Sequence, residues 1–333
     1  MRQIRIAYVD FWRDLDPETF LFTKILRKHY DVIIDQKNPD YVFCSVFGTE
    51  YLNYSGIRIL FMGEGKAPDF NLYDYAMAFD EIQFSDRYLR YPFFLIRRES
   101  FEGALKKHTY SDEYYLSKKK FCNFVVSNNL CNNHRERCFE ALSEYKKVDS
   151  GGRHKNNLPD GKPVADKLAF QKEYKFSLAF ENSSFPGYVT EKIMDAWAAG
   201  TVPIYWGDPH IEKMLNPKAF INCNDFQSME EMVEKVREID EDDSKFLAMM
   251  KEPIMLPGSV LEEMIQESYL ESFLLSIVEQ PKEHAFRRNS KFTMWGDSHE
   301  HHLLMWSKME KNKFFIFARD FRRNMIAKKK KKK

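Results

Sequence analysis

The sequence predicts an α/β fold made of two halves, each with a mainly parallel sheet. Two patterns carry this expectation. Short apolar strands alternate with segments of helical periodicity, and the alternation starts again near residue 119 after an irregular stretch. A length of 333 residues also suits two domains, each able to bury its own core.

In the first half, "IRIAYVDF" (4–11) reads as a strand. "DPETFLFTKILRKHY" (16–30) has apolar residues at helical spacing, with Asp16 as candidate cap and Pro17 at the first helical position. Strands follow at "DVIID" (31–35), "YVFCSVF" (41–47) and "IRILFMG" (57–63), and "YAMAFD" and "YLRYPFFLI" continue the pattern. The second series opens on the strand "KKFCNFVVSNN", then a helix through "HRERCFEALSEYKKV" and a polar Gly-rich loop, "SGGRHKNN". "YKFSLAFEN" (174–182), "TEKIMDAWAAG" (190–200) and "VPIYWG" (202–207) give strand, helix and strand, and "FINCNDF" with "SMEEMVEKVREID" adds another pair. The expected domains are 1–115, 116–275 and a helical, basic C-terminal segment 276–333. Ligands of doubly wound sheets bind beyond the carboxyl ends of the strands, where both Glu64 and Asn182 fall.

Composition narrows the classes. There are 29 Phe and 17 Tyr, side chains that build cores and also stack on sugar or base rings. No apolar run is long enough to span a membrane, and "MRQIRIAYVDF" lacks the apolar centre of a signal peptide, so a cytoplasmic location is expected. Five scattered cysteines show neither zinc spacing nor a disulfide framework; Cys131 and Cys138, seven apart on an expected helix, read as buried thiols. Charge is uneven. Residues 307–333 hold twelve Lys/Arg against two acids, which leaves the preceding 306 residues at −9 for a whole-chain net of +1.

The stretch "FENSSFPGYVTEKIMDAWAAGTVPIYWG" (180–207) carries the most chemistry. Gly187 allows a close backbone approach. Thr190 is positioned to cap a helix that Gly200 ends. A helix N-terminus suits a phosphate, and Lys192 in the first turn, unfavourable against the helix dipole, hints at a bound anion. Glu191 is suited to accept hydrogen bonds from sugar hydroxyls, and Tyr188 to pack on or bond to the same ligand. From these residues alone, a capped helix with solvated charges competes on equal terms.

That stretch resembles the donor-binding signature of the α1,3/α1,4-fucosyltransferases, glycosyltransferase family 10, especially the bacterial enzymes. "FMGEGKAPDFNLYDYAMAFDEIQFSDRYLRYP" (61–92) resembles the family's acceptor-domain block. "FCNFVVSNN" with the following R, F and L positions (121–142) and "VDSGGRHKNN" (148–157) match the segment preceding the donor motif. The resemblance runs in order over about residues 3–275. The "DDLRVNY"-type heptads of some relatives are absent.

The resemblance implies a GT-B architecture, two Rossmann-like domains facing across a cleft, acceptor half first and GDP-fucose half second. It implies inverting transfer from GDP-β-L-fucose by in-line displacement, with a base for the acceptor hydroxyl and donors for the leaving diphosphate. Glu64, between two glycines after a strand, is the implied general base, with a solvated turn glutamate as the competing reading. Lys192 is the implied diphosphate contact. The family's phosphate-binding arginine precedes an Asn-x pair; here that slot holds Lys155, with Arg153 two residues earlier, and lysine lacks arginine's bidentate fork. Both are candidates, Arg153 first. Glu191 is expected at the fucose hydroxyls or the oxocarbenium charge, and Asn182 and Tyr188 match donor contacts. Glu181 reads as a donor-site residue or a buried structural carboxylate. Ser127 and Asn128 are candidates for the base or ribose, with an ordinary turn as the alternative, and Trp206 reads as core, with a place lining the cleft as its alternative.

No essential metal is expected. The D-x-D triplets Asp14-Leu15-Asp16 and Asp240-Glu241-Asp242 read as a helix start and a solvated run, and His299-Glu300-His301-His302 places neighbours on different faces. The tail "FFIFARDFRRNMIAKKKKKK" reads as a basic amphipathic segment for an anionic membrane surface, implying a peripheral enzyme at the inner face. Expected partners are GDP-fucose and a Galβ-GlcNAc type oligosaccharide acceptor, modified at O3 or O4 of GlcNAc. A GT-B transferase using another GDP-sugar, such as GDP-mannose, is the enzyme alternative. A nucleic-acid-binding protein explains the basic tail but neither the ordered motif nor the acidic body.

Overall fold

Apolar runs at the start of the chain form β1 (Gln3–Val9), α1 (Leu21–Leu26), β2 (Asp31–Ile34), β3 (Tyr41–Cys44), β4 (Ile57–Phe61), β5 (Tyr75–Ala78) and β6 (Tyr88–Arg90). The structure is a computed structural model that describes residues 1–127, 134–312 and 315–316. Among the described residues the first sheet has the order β2-β1-β3-β4-β5-β6, and successive pairs from β2 to β5 run parallel. Burial on both faces explains the nearly unbroken apolar composition of β3 and β4. The phenylalanines serve this core: Phe43 stacks on Tyr8 at 5.1 Å, and Phe22 meets both Phe43 and Phe61.

Two expected elements are shorter than their patterns. The helix expected over 16–30 occupies only Leu21–Leu26, because the Asp16 carboxylate accepts from the Glu18 N–H at 3.0 Å and the Thr19 hydroxyl at 2.8 Å. That turn takes the chain away from a helical start at Pro17. The strand expected through "YLRYPFFLI" stops at Arg90, and Phe93–Leu95 after Pro92 is a 3₁₀ turn.

The second unit contains α2 (Arg98–Lys106), α3 (Asp112–Leu116), β7 (Lys120–Phe124), α4 (His134–Tyr145), β8 (Val148–Ser150), α5 (Lys167–Gln171), β9 (Tyr174–Phe180), α6 (Glu191–Ala198), β10 (Val202–Trp206), β11 (Ile221–Asn222), α7 (Met229–Glu241), α8 (Asp243–Lys251) and α9 (Val260–Met264). Its sheet, among the described residues, has the order β11-β10-β9-β7-β8 and is parallel throughout. The chain moves outward from β7 to β8, then returns to β9 on the other side. The strand order therefore reverses between β7 and β9, the switch point at which doubly wound sheets form a ligand crevice.

The units depart from the expected boundaries. The first comprises Met1–Met77, Phe84–Leu89 and the chain from Glu271 onward; the second comprises Ala78–Gln83 and Arg90–Leu270. The segment 98–116 belongs to the second unit because α2 packs on α6, where a Cβ at Gly103 would lie 2.9 Å from that of Ala198. The described C-terminal residues are not a separate appendage. After α10 (Glu267–Glu279) and α11 (Lys282–Ala285), the chain enters α12 (Met294–Glu310), and charges tie this stretch to the first unit.

The anchor there is the buried Asp74 carboxylate. It accepts from the backbone N–H groups of Arg58 (2.7 Å), Arg287 (2.6 Å) and Arg288 (2.8 Å), and pairs with the buried Arg288 guanidinium at 2.5 Å. Glu300 on α12 pairs with Arg58 at 2.5 Å, so the His-Glu-His-His run sends its members to different partners. The D-x-D triplets are likewise occupied: Asp16 holds its turn, Asp240 pairs with Lys146 and Lys175, and Asp242 caps α8. Cys44, Cys122, Cys138 and Cys223 are buried free thiols, whereas Cys131 lies outside the described residues. No helix among the described residues is long and apolar enough to cross a membrane.

Removing the Asp74 carboxylate leaves the Arg288 guanidinium buried without its partner. Asp74→Ala should lower the unfolding free energy by about 3–5 kcal/mol in urea melts. A loss below about 1 kcal/mol, the range of a surface pair, would show that Asp74 does not anchor the segment.

Candidate functional site

The Phe180-Glu181-Asn182 segment leaves the carboxyl end of β9 at the switch point. Glu181 extends the strand by one residue, its N–H bonding to the Trp206 carbonyl at 2.8 Å. The Glu181 side chain is 0% exposed. Its Oε1 accepts from the Thr190 N–H at 2.7 Å, and its Oε2 accepts from the Thr190 hydroxyl at 2.7 Å and from Lys192 Nζ at 2.8 Å. Lys192 Nζ also donates to the Thr190 hydroxyl oxygen at 2.8 Å. Space for this carboxylate depends on Gly207, where a Cβ would come within 2.5 Å of both the Glu181 Cγ and the Tyr205 hydroxyl.

This arrangement corrects two expectations. Thr190 occupies the N-cap position of α6, but its hydroxyl makes no capping bond, because Glu181 and Lys192 engage it. The lysine in the first turn, read from sequence as a misfit calling for an anion, already has a buried carboxylate as partner. Burial works against the Lys192 ammonium, but Glu181 and then Glu191 outweigh it and hold its pKa above the ordinary lysine value. Lys192 keeps 18% of its side chain exposed, and two of its three N–H groups are used.

Glu191, with 25% of its side chain exposed, lies 4.0 Å from Lys192. Burial pushes its carboxyl up, yet Lys192 and Lys167 more than offset this, and the group stays below its usual range and ionised at neutral pH. The loop entering α6 is tightly held. Gly187 has φ +89°, and a Cβ there would sit 2.2 Å from the Phe79 carbonyl oxygen, so this turn requires glycine. Tyr188, expected to pack on or bond to the donor, is itself enclosed by the protein. It is 1% exposed, stacked on Phe185 at 4.7 Å and edge-on to Phe79 at 5.0 Å, because the turn at Gly187 folds it inward. Tyr205 braces the turn, its hydroxyl lying 3.4 Å from the Tyr188 carbonyl oxygen and 2.9 Å from the Asp208 N–H.

Asn182 is half-buried and oriented from behind. Its Oδ1 accepts from Arg135 at 2.8 Å, and the same guanidinium reaches the Glu181 carbonyl at 3.2 Å. Arg135, in the first turn of α4, is fully buried. Sequence reading missed it because "HRERCFEALSEY" looks like a solvated helix start; the one signal is a basic residue near a helix N-terminus, where it opposes the dipole. Beside it, His134 stacks on Trp206 at 4.9 Å, and Trp206 packs in the core as expected.

The Gly-rich loop lies against the carboxyl end of β7. Gly151 donates to the Phe124 carbonyl and His154 to that of Val126, while a Cβ at Gly152 would overlap the Val126 backbone. Asn157 fastens the loop to Ser150 and Val148, and Asn156 donates to the Gly152 carbonyl, so the Asn pair shapes the loop. Lys155 has φ +50° and is paired with Glu140 at 2.6 Å. Arg153 is exposed, and no described residue pairs with its side chain. Ser127 is exposed just past β7, and Asn128 lies outside the described residues. In the first unit, Glu64 is exposed in a tight turn after β4, where its carbonyl accepts from the Lys66 N–H at 2.7 Å.

The second unit thus joins Asn182, Glu191 and Lys192 around a buried carboxylate, with Arg153 on the loop beside β7. Two doubly wound parallel units are the make-up of a GT-B glycosyltransferase. A solved structure of an α1,3-fucosyltransferase with GDP-fucose matches with a TM-score of 0.66 at 27% identity, covering 82% of this chain and 91% of that one. A profile of the α-(1,3)-fucosyltransferase FucT N-terminal domain matches residues 6–97, and one of the glycosyltransferase family 10 (fucosyltransferase) C-terminal region matches 115–251. The chain belongs to glycosyltransferase family 10. It is 34% identical over 289 residues to the α-(1,3)-fucosyltransferase FucT of Helicobacter pylori, a match covering 75% of this chain and 60% of that protein. It is 36% identical over 141 residues to the human 4-galactosyl-N-acetylglucosaminide 3-α-L-fucosyltransferase FUT6, covering 40% of this chain and 37% of the relative. The chain therefore spans less than two thirds of the length of these curated relatives.

Proposed function

We propose that the protein is an inverting fucosyltransferase that moves L-fucose from GDP-β-L-fucose to O3 or O4 of GlcNAc in an N-acetyllactosamine-type glycan. The observation that carries this reading is the Glu181–Lys192–Glu191 cluster at the first turn of α6, beside the sheet's switch point, in a chain of family 10. The free N–H of Lys192, the N-terminal N–H groups of α6 and the exposed Arg153 supply donors and positive charge for the leaving diphosphate. The ionised Glu191 is suited to fucose hydroxyls or to the positive charge of an oxocarbenium-like transition state. Asn182 offers its amide NH₂ to the donor, its oxygen being held by Arg135. Tyr188 contributes by shaping the turn, and Ser127 and Asn128 are proposed for the base or ribose.

The chemistry requires one displacement at the anomeric carbon. The acceptor hydroxyl attacks opposite the diphosphate, a carboxylate removes its proton, and GDP leaves, turning the β linkage into α. Glu64 is the proposed base. The side chains and helix end meet the diphosphate charge, so no metal is assigned an essential role.

GDP should raise the melting temperature more than UDP does, and GDP-fucose with an acceptor panel should give α1,3- or α1,4-fucosylated GlcNAc, with substantial activity surviving EDTA. A larger shift with UDP, or transfer from GDP-mannose instead, would reject the donor assignment. Glu64→Gln should cut turnover by about 10²–10⁴-fold while GDP affinity stays unchanged. Arg153→Ala should weaken GDP binding more than Lys155→Ala does, since Glu140 holds Lys155; near-normal turnover or the reverse order would remove these roles. The basic aromatic tail is proposed to bind anionic membrane surfaces. Co-sedimentation with anionic vesicles should be lost when 312–333 is deleted, and no binding by the full chain or equal binding by the shortened one would exclude it.

A further inference from the structure

We propose that Glu181 is a positioning residue for the donor site, aiming the ammonium of Lys192 at the diphosphate while making no contact with the donor itself. The inference rests on reading Lys192 as the diphosphate contact. Its grounds are steric and directional. Glu181 is fully buried behind Lys192, and its lysine-facing oxygen accepts from the ammonium at 2.8 Å. The Thr190 hydroxyl takes a second ammonium N–H at 2.8 Å and is itself bonded to Glu181. With two N–H directions fixed, the third follows from tetrahedral geometry.

A free lysine would lose the freedom of a four-carbon stem on gripping a phosphate. Here that freedom is already lost in the folded protein, so the ordering cost does not fall on binding. The surroundings preserve the arrangement: Gly207 leaves room for the carboxylate, and the backbone bond from Glu181 to Trp206 sets its height on the strand. A glutamine at this position has one acceptor. If that oxygen stays with the Thr190 N–H, the amide NH₂ points at the ammonium, and two donors confront each other. The lysine must then turn away.

A double-mutant cycle on the full chain tests this, with GDP affinity measured by calorimetry at a temperature where circular dichroism shows each variant folded. Lys192→Ala should weaken GDP binding about tenfold or more. Glu181→Gln should weaken it about tenfold when Lys192 is present and less than about twofold in the Lys192→Ala background. Donor KM should rise with GDP Kd. Thr190→Val, which keeps the carboxylate but removes the shared hydroxyl, should give a smaller loss that also vanishes without Lys192; it serves as the test if Glu181→Gln does not fold. Equal losses in both backgrounds, or no loss from Glu181→Gln at all, overturn the positioning role alone. Unaltered GDP affinity in Lys192→Ala overturns the diphosphate reading on which it rests.

Discussion

The second unit of this protein is arranged around one buried carboxylate. Taking Glu181 out of water costs several kcal/mol, and removing only its partner would leave that cost uncompensated. Every neighbour answers that constraint. Thr190 contributes its N–H and hydroxyl, Lys192 its charge, and Gly207 the absence of a side chain. The entry of the chain into α6 is therefore fixed by electrostatics as much as by helix capping, and this explains why the cap residue leaves its usual capping bond unmade.

The first unit uses the same device for a different end. Asp74 is buried, and its oxygens take three backbone N–H groups and a guanidinium, which fastens the C-terminal stretch to the sheet that precedes it. Its partner Arg288 is as buried as the carboxylate, so the pair is closed to ligands. The Glu181 pair differs in one respect: its lysine is partly exposed and has a donor to spare. A closed pair suits a joint and an open one suits a grip. Arg135 is intermediate, itself buried but passing its effect outward through the oriented amide of Asn182.

Sequence patterns located most strands well, since parallel strands buried on both faces leave continuous apolar runs that few other structures produce. They overextended α1, where local hydrogen bonding by Asp16 outcompeted helical periodicity, and they placed the boundary at 115 because nothing in the sequence reports that Gly103 lets α2 pack on α6. The motif at 180–207 stands out in the sequence as a candidate site, and a buried carboxylate is among the readings of Glu181. Its internal wiring is not legible there. Whether a lysine in a first turn awaits an anion or already has one depends on a residue eleven positions earlier, and only the strand-to-helix geometry brings the two together. Arg135 is easily missed for the same reason, and the burial of Tyr188 depends on the turn at Gly187, which the sequence does not show. Asn156 and Asn157 bond the Gly-rich loop's own backbone and Lys155 pairs with Glu140, whereas Arg153 is exposed and pairs with no described residue.

Much of the motif is therefore scaffold. Thr190, Tyr188, Trp197, Tyr205 and Trp206 are buried, and Gly187 and Gly207 are there for want of space. The polar groups the motif leaves exposed or partly exposed include the third N–H of Lys192, the carboxylate of Glu191, the amide of Asn182 and the hydroxyls of Ser183 and Ser184. Under the proposed function, so much scaffold for a few polar groups follows from what they would have to do. A diphosphate can be met by many flexible cations, but a charge that appears only in the transition state is best stabilised by groups that need not move to meet it. Holding a lysine and a glutamate 4.0 Å apart, both charged and differently directed, takes a buried carboxylate behind the lysine and a braced turn before it. The residues between are the means of that immobility.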